Sequence, residues 1–216
     1  MKKVLSLFSG CGGMDLGFNG GFKLLTKSAS QNIIENHVQE IISNKWLKLK
    51  KTSFKTIYVN DIDSKAIKSW KHNAQANGVG IYEDSVVNLV SDFKKGKVKI
   101  NKPDVVVGGF PCQDFALSGK MLAFKSDVGH DNKKIKKIGK RTNRGLLYRS
   151  MRDVVSLLKP KVFVAENVQS MKSIKGVAKK IEKDFKKINN GYQVFVKVLN
   201  AADYGVPQNR KRIFFI

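Results

Sequence analysis

Cysteine occurs only twice in the chain, at Cys11 and Cys112. Two are too few for a disulfide framework or an all-cysteine metal site, and no metal is expected, but a single reactive thiol remains open. Acidic residues are also scarce, with 17 Asp and Glu against 41 Lys and Arg and a formal charge of +24. That excess disfavours cationic partners and favours a polyanion such as nucleic acid, bound by displacing its counterions. Only six of the cations are arginine, so part of the excess can equally reflect a lysine-rich, AT-biased genome. No apolar run approaches the ~18 residues of a membrane span. The basic start followed by Val4-Leu5-Ser6-Leu7-Phe8 leads into a glycine-rich turn instead of a small-residue cleavage site, so it reads as a first strand of a cytoplasmic protein. The 216 residues fit one substantial domain, with no room for a second of full size.

What is present is alternation. Short β-branched runs separated by helical patterns predict an α/β fold, a doubly wound sheet of about seven strands. The runs are 4–8, 56–60, 80–82, 105–107, 162–165, 193–199 and 212–216. The short return at Asp203-Tyr204-Gly205-Val206-Pro207 predicts that the last two strands pair antiparallel. Asp63 can cap a helix carrying Ala66, Ile67, Trp70 and Ala74 on one face, ended by Gly78. Leu147, Met151, Val154, Val155 and Leu158 form a second stripe, stopped by Pro160. Ile174, Ala178, Ile181, Phe185 and Ile188 form a third, whose lysines face water. Two stretches break the rhythm. Residues 23–55 form a lysine-rich insertion with helical periodicity at Ile33, Ile34, Val38, Ile41 and Ile42. Residues 119–145 look like a long, mobile, cationic loop, and loops of that length in compact domains are usually functional or disordered.

Three motifs carry chemistry. Phe8-Ser9-Gly10-Cys11-Gly12-Gly13-Met14-Asp15 is a glycine-rich turn after the first strand, where the backbone can approach a ligand and enter a helix. It matches neither G-x-G-x-x-G nor a P-loop, and it could be merely structural. Asp61, beyond the strand ending at Asn60, stands where a carboxylate can accept from ribose hydroxyls. Asp84 could take an adenine amino group, although either acid could instead be a helix cap or a solvated loop carboxylate. Gly108-Gly109-Phe110-Pro111-Cys112-Gln113 follows an apolar strand and delivers one thiol to the carboxyl edge of the sheet, where such folds bind ligands. A nucleophilic cysteine attacks as thiolate. The alternative is a small buried hydrophobe.

Taken together, FSGCGG, NDID, DSVVNL, GGFPCQ, RGLLY, AENV (Ala165 to Val168) and QNRKRIFFI (Gln208 to Ile216) make the chain resemble the cytosine-5 DNA methyltransferase family. They fall in the family's order and cover nearly all of the chain outside the insertion and the basic loop. The resemblance implies the S-adenosylmethionine-dependent methyltransferase fold. It implies a cofactor site lined by Phe8, Ser9, Gly10, Gly12, Gly13, Asp61, Ile62, Asp84, Ser85, Phe110, Pro111 and Leu147. It further implies that Cys112, Glu166, Arg210 and Arg212 surround the target base, with Asn167 bracing the loop. Double-stranded DNA would be met by Gln113, Ser118, Lys120, Arg141 and Arg144, with the cationic loop clamped over a flipped base. In this chemistry the Cys112 thiolate adds to carbon 6, and Glu166, which must be partly protonated and desolvated, stabilises the charge at ring nitrogen 3. A bacterial, cytoplasmic restriction-modification enzyme is the expected setting.

Family members continue beyond the QNRKRIFFI strand into a target-recognition region, a further conserved segment and a C-terminal helix. The expectation is therefore a split-enzyme subunit needing a complementary chain, or a truncated product, inactive alone. Two other classes share the motifs: a non-catalytic DNA- or cofactor-binding remnant, and an RNA cytosine-5 methyltransferase.

Overall fold

Successive apolar residues such as Val4-Leu5 and Val105-Val106-Val107 can be buried only in strands covered on both faces, which a parallel sheet with flanking helices provides. The computed structural model describes residues 1–73, 78–111, 146–188 and 191–216 and has this form. In chain order its first half comprises β1 (Lys2–Leu7), α1 (Gly13–Asn19), β2 (Lys23–Leu25), α2 (Gln31–His37), β3 (Val38–Ile41), β4 (Trp46–Leu49), β5 (Phe54–Asn60), α3 (Ser64–Asn73) and β6 (Gly80–Tyr82). Then follow α4 (Val86–Lys94), β7 (Val105–Gly109), α5 (Leu147–Leu158), β8 (Val162–Val168), α6 (Val177–Lys186), β9 (Val196–Asn200) and β10 (Lys211–Phe215). Seven strands form one sheet in the order β6-β5-β1-β7-β8-β10-β9. The first five in that order are parallel, and β10 runs antiparallel to both β8 and β9. The doubly wound architecture and the terminal antiparallel pair are as the sequence predicts.

Each predicted stripe faces the core. On α5, Leu147, Met151, Val154, Val155 and Leu158 are all buried, and the helix ends at Lys159, which adopts a left-handed conformation (φ 48°) before Pro160. The Asp63 carboxylate accepts from the amides of Lys65 (2.9 Å) and Ala66 (3.4 Å), capping α3. Behind it Ile67 and Trp70 are buried, Ala74 lies outside the described residues, and Gly78 turns at φ 77°. On α6, Ile181 and Phe185 are buried, and Phe185 stacks on Phe163 of β8 at 4.5 Å between ring centroids. Such a pair contributes ~0.5–1.5 kcal/mol beyond its buried area.

The two sheet faces are covered unequally. Val106, Phe163, Ala165, Ile213 and Phe215 share one core with α4, α5 and α6. On the other face Val4, Val105 and Val107 pack with Phe18 of α1, and Val59 packs with Ile67 and Trp70 of α3. Toward β8, β10 and β9 this second face thins out. Val164, Leu199 and Phe214 are only half-buried, and Val162, Phe195 and Ile216 are exposed.

Four expectations need correction. The insertion is not a continuous helical segment: α2 ends at His37, and Val38 and Ile41 lie in β3, which joins a second, antiparallel sheet ordered β2-β4-β3. Their β-branched side chains suit either state by spacing, and strand pairing around buried Leu47 decided between them. The insertion also ends earlier, since Phe54 and Lys55 already belong to β5. The third helix begins at Val177, not Ile174, because Gly176 takes a left-handed conformation at its start (φ 76°). The strand expected over 193–199 begins at Val196. A helix the sequence reading passed over, α4, is capped by the Ser85 hydroxyl, which accepts from the Val87 amide at 3.2 Å, and buries Val86, Leu89 and Val90. The cationic segment 119–145 lies outside the described residues.

Candidate active site

Parallel strands bring their carboxyl ends to one edge, and the register fixes which residues meet there. Leu7 is opposite Asn60 on one side and Gly108 on the other; Gly109 is opposite Glu166, and Glu166 is opposite Phe214. The described parts of the chemistry-bearing motifs therefore open onto one rim.

At its centre is the turn after β1. Phe8 (φ 51°), Gly10 (φ 54°) and Gly12 (φ 93°) all adopt the left-handed region, which costs a non-glycine residue about 1–2 kcal/mol. At Gly12 a side chain is excluded in another way, because a Cβ there would stand 2.6 Å from Cδ1 of buried Trp70. Above Gly10 and Gly13 the space is open, with nothing within 4 Å of a Cβ. Beneath the turn the Asp15 carboxylate is fully buried and accepts from the hydroxyls of Ser6 and Thr56, each at 3.0 Å. Burial pushes this carboxyl up, against the opposing effect of those hydroxyls and of the Trp70 indole. The indole N–H is near enough to favour the charged form but makes no hydrogen bond of normal geometry.

On the β5–β6 side, Asp61 accepts from the Gly10 amide through Oδ2 (2.7 Å) and from the Asp63 amide through Oδ1 (2.9 Å). Each oxygen keeps a lone pair for a further donor. Asp84 accepts from the Ser85 amide (2.6 Å) and the Asn88 side chain (2.9 Å). Buried Asn60 ties these strand ends together, donating to the carbonyls of Tyr82 (3.0 Å) and Asp84 (2.6 Å). Ile62 is exposed, while Ser85 and Leu147, the first residues of α4's cap and of α5, are buried.

On the β7–β8–β10 side is a cleft of about 540 Å³. Phe8 and Gly13 line it from the turn, Glu166 from β8, and Arg210 and Arg212 from the start of β10. The Arg212 Nε lies 3.0 Å from Glu166 Oε1. Burial pushes the Glu166 carboxyl above its ordinary range, against the pull of Arg212 and Arg210 in the other direction. Gly109 makes room for it, since a Cβ there would sit 3.0 Å from Glu166 Oε2. Asn167 is buried and donates to the Phe110 carbonyl at 3.0 Å, while its Oδ1 accepts from the Val168 amide at 2.8 Å. It thereby clasps the chain one residue before Pro111.

Thus the cleft gathers Phe8, Gly13, Glu166, Arg210 and Arg212, while Asp61, Ile62, Asp84 and Ser85 stand across the turn from it. Cys112, Gln113, Ser118, Lys120, Arg141 and Arg144 lie outside the described residues. Sequence reasoning missed Met14, Leu199, Ala201, Tyr204 and Phe214 in the lining. It also missed the Asp15–Ser6–Thr56 network, for which no local signal exists because Thr56 is 41 positions from Asp15.

Residues 2–216 match the family model described as C-5 cytosine-specific DNA methylase. The chain is 34% identical over 218 residues to the Type II methyltransferase M.BspRI of Lysinibacillus sphaericus, covering 99% of this chain and 43% of that protein. It is 31% identical over 216 residues to the Type II methyltransferase M.NgoFVII of Neisseria gonorrhoeae, with the same two coverages. The chain therefore spans less than half the length of these curated relatives. In fold it is similar to an E. coli protein described as a DNA modification methyltransferase encoded within a prophage. The TM-score is 0.59 at 22% identity, over all of this chain and 46% of the other.

Proposed function

We propose, on the premise that this chain belongs to the C-5 cytosine-specific DNA methylase family, that it is the cofactor-binding and catalytic portion of a cytosine-5 methyltransferase. Its substrate is double-stranded DNA, and its setting is a bacterial restriction-modification system. The observation that carries this reading is the raised Glu166 carboxyl, held by Arg212 against Gly109 on the strand that leads to Pro111 and Cys112. A partly desolvated acid on the strand adjoining the one that runs on toward Cys112 in the sequence suits addition to a pyrimidine and has no evident use in a merely structural turn.

S-adenosylmethionine, when bound, supplies the electrophilic methyl group that carbon 5 of cytosine accepts. The residues present fit it: Gly10 and Gly13 leave open space above the turn, and Asp61 presents lone pairs to ribose hydroxyls. Asp84, Ser85 and Ile62 would border the adenine, with Phe8 and Leu147 as apolar walls and Ser9, Gly12, Phe110 and Pro111 shaping the floor.

Carbon 5 is a poor nucleophile, which is the problem the side chains solve. The Cys112 thiolate bonds to carbon 6, and the electron pair of the 5,6 double bond becomes available at carbon 5. Glu166 donates its proton toward ring nitrogen 3 as negative charge develops, and Arg212 holds the carbonyl oxygen at position 2. Once carbon 5 has taken the methyl group, solvent removes the carbon 5 proton, the 5,6 double bond re-forms, the Cys112 thiolate leaves, and ring nitrogen 3 returns its proton to the Glu166 carboxylate. The target base must leave the duplex for any of this to occur. Gln113, Ser118, Lys120, Arg141 and Arg144 are the proposed DNA contacts around it.

A complementary segment, on the same or a second polypeptide, completes the enzyme in this reading. The thinly covered sheet face around Val164, Leu199 and Phe214 supports it, because apolar surface continuous with a cleft is stabilised by being covered. The test uses the assembled enzyme and a duplex carrying 5-fluorocytosine, whose fluorine cannot leave as the proton does. A covalent protein–DNA adduct through Cys112 is expected, and Cys112→Ser should abolish it with cofactor affinity nearly intact. Absence of any adduct at Cys112 overturns the reading.

A further inference from the structure

The insertion's surface differs from the lysine-rich face of α6. Between positions 23 and 53 stand six lysines and two glutamates. Lys23, Lys27, Lys45, Lys50 and Lys51 are exposed, and none of the six has an ion-pair partner among the described residues. On α6, by contrast, Lys180 and Lys186 are paired with Asp184 and Glu182. Part of the α6 charge is thus paired within its own face, whereas none of the insertion's lysines is.

Strand register gathers the charge. Lys23 is opposite Lys48, and Leu25 is opposite Trp46, so all four share one side of the small sheet, with Lys50 following two positions on. Glu40, opposite Lys48, is the acid on that side. Trp46 is 41% exposed there. The sheet's other side holds buried Leu47, so burial of this small core does not require the cations. The insertion also abuts the cleft. A Cβ on Gly205 would stand 3.0 Å from Ser30, the residue that caps α2, and the neighbouring Tyr204 lines the cleft with Arg210 and Arg212.

We infer that the Lys23–Lys48–Lys50 face of the insertion is a second DNA-binding surface, which holds the phosphate backbone of the duplex beside the cleft. This rests on the proposed DNA substrate. Lys23 and Lys48 repel each other in register, and the single Glu40 on the other flank of Lys48 leaves the face with an excess of positive charge that phosphates spaced along a duplex can neutralise. The exposed Trp46 ring offers an apolar surface against sugar and backbone. Contacts of this kind set position and affinity without reading sequence.

The experiment measures binding of the 216-residue chain to a labelled mixed-sequence duplex between ~50 and ~200 mM salt, the range over which phosphate contacts are strongly screened. The variant combines Lys23→Gln, Lys48→Gln and Lys50→Gln. A control combining Lys179→Gln, Lys183→Gln and Lys187→Gln removes the same charge from the α6 side. The insertion variant is expected to bind more than tenfold more weakly, with a log–log salt slope shallower by ~2.7, about 0.9 per lost contact. The control should change little, and cofactor binding and melting temperature should be unchanged in both. Equal losses in variant and control overturn the inference, since net charge alone then explains the binding. So does unchanged duplex binding in the insertion variant, including the case where that variant instead loses affinity for a complementary polypeptide. A chain that shows no salt-dependent duplex binding also overturns it. None of these results bears on the 5-fluorocytosine adduct at Cys112, which tests the catalytic reading separately.

Discussion

Glu166 is the residue on which structure and proposed chemistry meet most directly. Its carboxyl is raised by burial, so it holds a proton to higher pH than an exposed glutamate. If it acts as the proton donor, activity of the assembled enzyme should fall as pH rises through that raised value, because the donor is then ionised. Glu166→Gln keeps the shape and a hydrogen-bond donor but has no proton to give. A loss of ~10²–10⁴-fold in single-turnover methylation is expected, with cofactor affinity unchanged by calorimetry; full activity in this variant would remove the assignment. Asp15 shows the same shift for a different purpose, since it faces Ser6 and Thr56 and not the cleft. Its folded-state value lies above the unfolded one, so the folded protein binds more protons between the two. The Asp15 contribution to stability is therefore present below the ordinary carboxylate range and lost as pH rises through the raised value. Thermal melts across that window should show a downward slope with rising pH that flattens in Asp15→Asn. An unchanged slope would mean that Asp15 is not the group responsible. Asn167 was legible in the AENV motif, but its bond to the Phe110 carbonyl was not, because 57 positions separate the two.

At the scale of elements, helix and turn ends are where sequence and structure agree best, since a cap acts over two or three residues. Asp63→Ala removes the acceptor for the first amides of α3 and should cost about 1 kcal/mol, read as a lower denaturation midpoint. Lys159 ends α5 in a conformation that suits glycine, so Lys159→Gly should stabilise by about 1 kcal/mol. A stability loss there would show that the lysine side chain contributes more than its backbone strain costs. Gly12→Ala meets both a left-handed φ and Trp70, and should destabilise by ~1–3 kcal/mol in the same assay. The insertion was misread because a four-residue strand such as Val38–Ile41 carries no decisive period. Val38 and Ile41 fit a helix face as well as a strand, and only pairing with β4 distinguished them.

For the whole molecule, the unequal covering of the sheet is the dominant feature. Three helices pack on one face, while on the other the apolar surface around β8, β10 and β9 is left half-buried or exposed. Added in trans, a polypeptide corresponding to the further length of M.BspRI should raise the melting temperature and quench binding of an apolar dye to the chain alone. No change in either would mean that this face is stable in water as it stands.

By itself the sequence determined the parallel order of alternation, the stripes that face the core, and the chemical types described at the rim: a glycine turn, two acids, a glutamate and two arginines. These are local properties, carried by periodicity and by contiguous motifs, and a one-dimensional string expresses them fully. Tertiary structure alone decided that Gly109 yields space to Glu166, that Arg212 holds it, that Asn167 clasps Phe110, and that the insertion abuts the cleft through Ser30 and Gly205. Each of these joins residues far apart in the chain, through contacts that exist only once strand register has set the strands side by side.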